Sequence, residues 1–220
     1  MKTIDPLAEA ILLELSHRPE SSEIVLGGYF ALRQYVDYRA THDIDAWWKS
    51  RADSNAENAI RDSMRNVAID KGLELQERRF GETLSFELSR NKQKVFSFQI
   101  AVRSVELERP QTSAWPPILI ETFVDNVASK MNALVDRGSP RDFTDIHQLV
   151  QAGLIQPEIC WQLWERKNPD AGTSDSAKTK VLLHLQSLEQ RRPLGSIIDN
   201  ADKQRASTVR HWFKEIFCKP

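Results

Sequence analysis

Cysteine is scarce in this chain: Cys160 and Cys218 are the only two in 220 residues. They lie far apart and lack metal-ligand spacing, which excludes a disulfide framework and fits a reducing cytosol. No apolar run approaches the roughly 20 residues needed to span a bilayer. The opening stretch MKTIDPLAEAILLEL carries acidic residues within its apolar run and no small-residue cleavage site. It reads as an amphipathic helix, not a signal peptide, so a cytoplasmic protein is expected. Neither sign of charge dominates. The net charge of −1 gives no global pull toward nucleic acid, and any such binding must rest on a local patch. Internal repeats and low-complexity tracts are also missing. What is present, 40% hydrophobic and 28% charged residues, is the composition of an ordinary globular protein. The length suits one large domain or two small ones.

Pro6 with Leu7, Ile11, Leu12 and Leu15 predicts a first helix packed on one face. Residues 23–26 form a short β-type run that stops at Gly27-Gly28. A helix is expected over 29–36, then a strand over 42–48, where polar and apolar residues alternate. Residues 55–71 suit a helix closed by Gly72. The runs 83–88 and 95–102 read as a hairpin turned at Asn91, because asparagine tolerates turn geometry. Three prolines between Arg109 and Pro117 mark the expected boundary between a domain over 1–116 and another over 117–220. The second half reads as helical: 123–136, a helix opened by Ser139-Pro140 and ending before Gly153, then 157–166, 176–190 and 196–217.

The sharpest chemical feature is Asp43-Ile44-Asp45. On a strand, residues two apart share a face, so both aspartates stand side by side while Ile44 turns into the core. Their α-carbons would lie roughly 6.5–7 Å apart. Two such carboxylates can share a hard cation through oxygen ligands, as Mg²⁺ requires, and without a cation or basic partner they repel. Gly27-Gly28, between a strand and a helix, lets backbone N–H groups approach an anion at the positive end of the helix dipole. A nucleoside triphosphate held there would present its phosphates to a metal on Asp43 and Asp45. Taken singly, the glycines also describe a tight turn, and the aspartates an exposed strand end.

A second constellation follows. Lys130 and Arg137 lie two helical turns apart on one face, and Asp142 and Asp145 share a face of the next helix. Lysine can balance triphosphate charge as a compact cation with three donors. Each member has a plainer reading as well. Ser139-x-x-Asp142 is a capping-box pattern, Arg137 suits a surface ion pair, and Lys130 suits a solvated helix face.

Four segments in order resemble the AbiEii/AbiGii toxin family of nucleotidyltransferase-like proteins from bacterial toxin–antitoxin and phage-defence systems. They are Leu26-Gly27-Gly28, Arg39 to Asp45, Lys130 to Arg137, and Arg141 to Leu149. The resemblance covers roughly residues 23–150. It implies an α+β fold: a polymerase-β-like nucleotidyltransferase domain, with a mixed sheet and flanking helices, followed by a helical domain that completes the nucleotide site. It also implies a nucleoside triphosphate substrate with Mg²⁺, an RNA acceptor such as a tRNA end, and a cognate antitoxin. Carried over by position, Asp43 and Asp45 are the catalytic metal ligands. Gly27, Gly28, Thr41, Lys130, Arg137 and Asp142 contact the nucleotide, and Lys130 and Asp145 join the catalytic set. One departure stands out. Many nucleotidyltransferases carry a third carboxylate on a later strand, whereas the 95–102 run offers Gln99 and no Asp or Glu. A catalytically inactive nucleotide-binding or protein-interaction module is therefore the alternative.

His42 should point away from the carboxylates. Trp47 and Trp48 suit core or rim packing, with base stacking the sharper option. Trp161 and Trp164 read as packing, and the scattered histidines form no metal signature. From Ser176 onward nine Lys or Arg face four Asp or Glu. Arg191, Arg192, Lys203, Arg205 and Arg210 can thus meet RNA phosphates, although a solvated helix face explains them equally.

Overall fold

A period of two along β2 (Asp43–Trp48) decides which side of the sheet is the core. Ile44, Ala46 and Trp48 are buried, while Asp43, Asp45 and Trp47 are half-buried on the other face. The computed structural model describes residues 4–51, 54–103 and 105–219. In it, seven strands form one mixed sheet, accompanied by eight α-helices. The strands are β1 (Ile24–Leu26), β2, β3 (Glu74–Phe80), β4 (Thr83–Arg90), β5 (Gln93–Val102), β6 (Gln111–Thr112) and β7 (Leu119–Ile120), ordered β3-β4-β5-β2-β1-β7-β6. The α+β fold expected from the sequence is the one found.

β2 runs parallel to β5 and antiparallel to β1, and β1 runs parallel to β7. The β4–β5 hairpin turns through Asn91 and Lys92, both with positive φ (50° and 61°). Two residues in left-handed geometry suit a two-residue hairpin loop. Phe96, Phe98 and Ile100 of β5 and Leu84, Phe86 and Leu88 of β4 join the β2 core residues. The helices α1 (Pro6–Ser16) and α3 (Ser54–Lys71) cover that face with Ile11, Leu12, Leu15, Ile60 and Met64. Asp5 caps α1 by accepting from the Leu7 amide at 2.8 Å.

Three strands were not expected. β3 carries charged residues on both faces and lies exposed at the sheet edge, so no apolar alternation announces it. β6 and β7 are two residues each. The helix expected over 29–36 is shorter, α2 (Gly28–Leu32).

The chain divides into two compact units, Met1–Asn126 and Val127–Pro220. The division falls inside α4 (Phe123–Asp136), later than the proline-rich segment, because β6 within that segment and β7 beyond it still extend the sheet. The second unit is helical: the rest of α4, then α5 (Pro140–Gln151), α6 (Pro157–Lys167), α7 (Ser174–Arg191) and α8 (Asn200–Trp212). A turn of π-helix at Phe213–Phe217 follows. The helix expected over 196–217 is thus interrupted at both ends. Phe143, Trp161, Trp212, Phe213 and Phe217 form its aromatic core, and Trp161 Nε1 donates to the Phe217 carbonyl at 3.0 Å. Trp164 is buried too, so both tryptophans of α6 pack. Cys160 and Cys218 are buried, and burial pushes each thiol up to about 12.

Candidate active site

In the first unit, the face of the sheet opposite the core carries the candidate chemistry. β2 and β5 are in parallel register with Asp43 across from Ser97 and Asp45 across from Gln99. Partners in register share a face, about 4.8 Å apart. The place nearest Asp45 on β5 is therefore held by Gln99, an amide that donates to Ser85 Oγ of β4 at 3.3 Å. Among the described residues, no three His, Cys, Asp or Glu gather as a metal cluster.

Thr41 holds one carboxylate. Its hydroxyl donates to Asp43 Oδ1, and the residue is buried. The loop that delivers Thr41 is fixed by Tyr29 of α2. The Tyr29 hydroxyl accepts from the Tyr38 and Arg39 amides at 3.1 and 3.0 Å, and the Arg39 guanidinium lies 3.7 Å above the Tyr29 ring. His42 points elsewhere, exposed, with Nδ1 2.6 Å from Asp5 Oδ2.

The glycine pair is needed for space and for conformation. Gly28 has φ +59°, and a Cβ there would run into the Asp45 side chain, 2.8 Å from its Cβ. Gly27 donates its amide to the Asp45 carbonyl at 2.8 Å, so that N–H belongs to the sheet. A Cβ on Gly27 would lie 2.5 Å from Trp47 Nε1 and 2.8 Å from Glu121 Oε2. Trp47 thus packs beside the glycines on the carboxylate face, its buried Nε1 without a hydrogen-bond partner among the described residues, while Trp48 is in the core.

Sequence reasoning missed what lies behind the glycines. Glu121, after β7, is fully buried and accepts from Arg103 Nη1 and from Asn126 Nδ2, each at 3.0 Å. Asn126 Nδ2 also donates to the Gly28 carbonyl at 3.0 Å. Asp125, in the first turn of α4, accepts from the Leu107 and Glu108 amides and lies 3.5 Å from Arg103. Gly28 is thereby tied to β7 and to the start of α4 through a buried polar network.

In the second unit, Lys130 Nζ lies 2.6 Å from Asp145 Oδ2, and both residues are buried. Lys130 is therefore not on a solvated helix face. Such a pair is costly to break, because the surviving charge stays buried. Arg137 donates to both oxygens of Asp142 at 2.9 and 3.0 Å, and Ser139 supplies its amide at 2.9 Å and its hydroxyl at 2.7 Å. Ser139 and Asp142 form the capping box of α5. Burial raises the Asp142 carboxyl, but Arg137 and Ser139 outweigh it and hold the group below the usual carboxylate range.

The sequence profile described as "Nucleotidyl transferase AbiEii toxin, Type IV TA system" matches residues 10–210. The chain belongs to this family. The AbiEii assignment carries nucleotidyl transfer as the general activity, and toxin–antitoxin systems as the setting. A crystal structure of a protein from H. pylori, provisionally described as a nucleotidyltransferase, has the same fold. It superposes with a TM-score of 0.52 over 96% of this chain and 93% of that one, at 16% identity. No curated protein matches the chain. Among the described residues of this AbiEii protein, no helix is long and apolar enough to cross a membrane.

Proposed function

We propose that this AbiEii protein transfers a nucleotide from a nucleoside triphosphate to a hydroxyl of RNA in a Mg²⁺-dependent reaction, as a toxin paired with a cognate antitoxin. The observation that carries this reading is the Asp43 and Asp45 pair on the open face of β2, pressed against a glycine that no other residue replaces without collision. The donor set fits Mg²⁺, which commonly takes one or two carboxylates and completes its shell with waters and substrate phosphates. When bound, the ion neutralises charge on the transferred phosphoryl group. The chain's own residues do the rest. Thr41 orients the Asp43 carboxylate, and Gly28 lets the backbone close on Asp45 and is assigned the phosphate contact. Trp47 offers an indole beside the glycines.

The test is incubation of the protein with Mg²⁺, total RNA and each labelled triphosphate in turn, with products resolved by size. Label should enter RNA from at least one triphosphate, and Asp43→Ala or Asp45→Ala should lower the rate by at least about a hundredfold. Absence of labelled product with all four triphosphates sinks the reading. A second reading, a binding module without catalysis, is favoured by Gln99 standing across from Asp45. Calorimetry separates them: triphosphate binding that is indifferent to Mg²⁺ and to Asp45→Ala belongs to the module.

A further inference from the structure

The second unit holds a cleft at the turn between α4 and α5, about 410 Å³ in volume, against the C-terminal end of α7. Arg137, Arg191 and Arg192 line it with His184 and Ser187, and no Asp or Glu does. Arg137 is already engaged by Asp142. Arg191 and Arg192 are exposed and form no ion pair among the described residues. Two cations without an acidic partner at one cleft favour an anion there. Arg191 suits this place, because the negative end of the α7 dipole favours a cation in its last turn.

A second cavity of about 360 Å³ adjoins the first and shares Pro140, Leu188 and Arg192 with it. Its wall is more apolar, with Leu188, Ile197 and Val209. Buried Arg210 donates to the Arg192 carbonyl at 2.7 Å and so fixes the backbone where the two cavities meet. A basic chamber beside an apolar one matches a phosphodiester chain, which alternates anionic phosphates with flat, largely apolar bases.

We infer that this double cleft binds single-stranded RNA, with Arg191 and Arg192 on backbone phosphates and a base or ribose against Leu188, Ile197 and Val209. The inference deepens the proposed function, because it rests on RNA as the acceptor. The test is fluorescence anisotropy of a short labelled single-stranded RNA with the full chain over a range of salt. Arg191→Glu with Arg192→Glu should weaken binding at least roughly tenfold at low salt. Arg191→Gln with Arg192→Gln should weaken it less and make the log–log salt slope shallower by about 1.4, the share of two phosphate contacts. The glutamine pair keeps the size and helix propensity of the site, so a folding defect in the glutamate pair does not decide the matter. Unchanged affinity and slope in the glutamine pair overturn the inference. So does equally tight binding of a poly-glutamate peptide by the native protein, which would indicate an acidic protein partner. The transfer assay is read separately. RNA binding that depends on the two arginines without any transfer upholds the cleft and removes the proposed function. Transfer that is indifferent to both arginines does the reverse.

Discussion

At the scale of single residues, Asn126 is the side chain that ties the glycine turn to the buried acid behind it. One amide group serves both the Gly28 carbonyl and the Glu121 carboxylate, in a setting with no exposure. Removing it leaves a buried carboxylate oxygen and a backbone carbonyl short of a donor. Asn126→Ala should cost about 1–3 kcal/mol of stability, read as a lower urea midpoint. Asn126→Asp should cost more, because it sets a second carboxylate against Glu121. A midpoint unchanged in both variants would mean that the network holds nothing in place. The aspartate pair itself was legible in the sequence, since strand alternation alone puts Asp43 and Asp45 on one face. Glu121, Asn126 and Arg103 were not. Nothing in Glu121-Thr-Phe distinguishes a buried acid from a solvated one, because the cation that neutralises it comes from 18 positions upstream and its amide donor from five downstream.

At the scale of elements, what could be read depended on how each element is buried. α4 begins and ends where its apolar period predicts, and α5 opens at Ser139-Pro140 as its cap predicts. β3 was invisible because an edge strand with charges on both faces has no period to detect. β7 is too short for a pattern, yet it carries the chain to Glu121. The α5 cap also has a pH signature. The folded Asp142 carboxyl titrates below its unfolded value, so its stabilisation is complete above the unfolded value near pH 4 and is lost as pH falls through the folded one. Asp142→Asn should lower the melting temperature at neutral pH. Its deficit against the native protein should shrink once the pH drops below about 4. A deficit that stays constant from pH 7 to pH 3 would count against the cap as an ionised group.

At the scale of the whole chain, composition and the order of motifs indicated a mixed α/β half followed by a helical half. The structure divides it so, although within α4 and not at the prolines. The boundary was misleading in sequence because a proline-rich stretch that looks like a linker contributes β6 to the sheet. Neither thiol is accessible in the folded chain, and both lie in the helical unit. A thiol reagent at neutral pH should therefore modify the native protein slowly and the urea-unfolded protein at once, with both groups appearing together as that unit opens. Rapid modification of either cysteine in the native state would place it outside the core.

The same burial has a practical side. A chain whose own thiols are silent accepts a single engineered cysteine as a clean attachment point. Ser187→Cys would set a fluorophore at the wall of the arginine cleft with little background from Cys160 or Cys218. The aromatic core that shelters those two sulfurs thus makes the protein its own reporter, in which the arrival of a strand can be followed as a change of colour or of brightness.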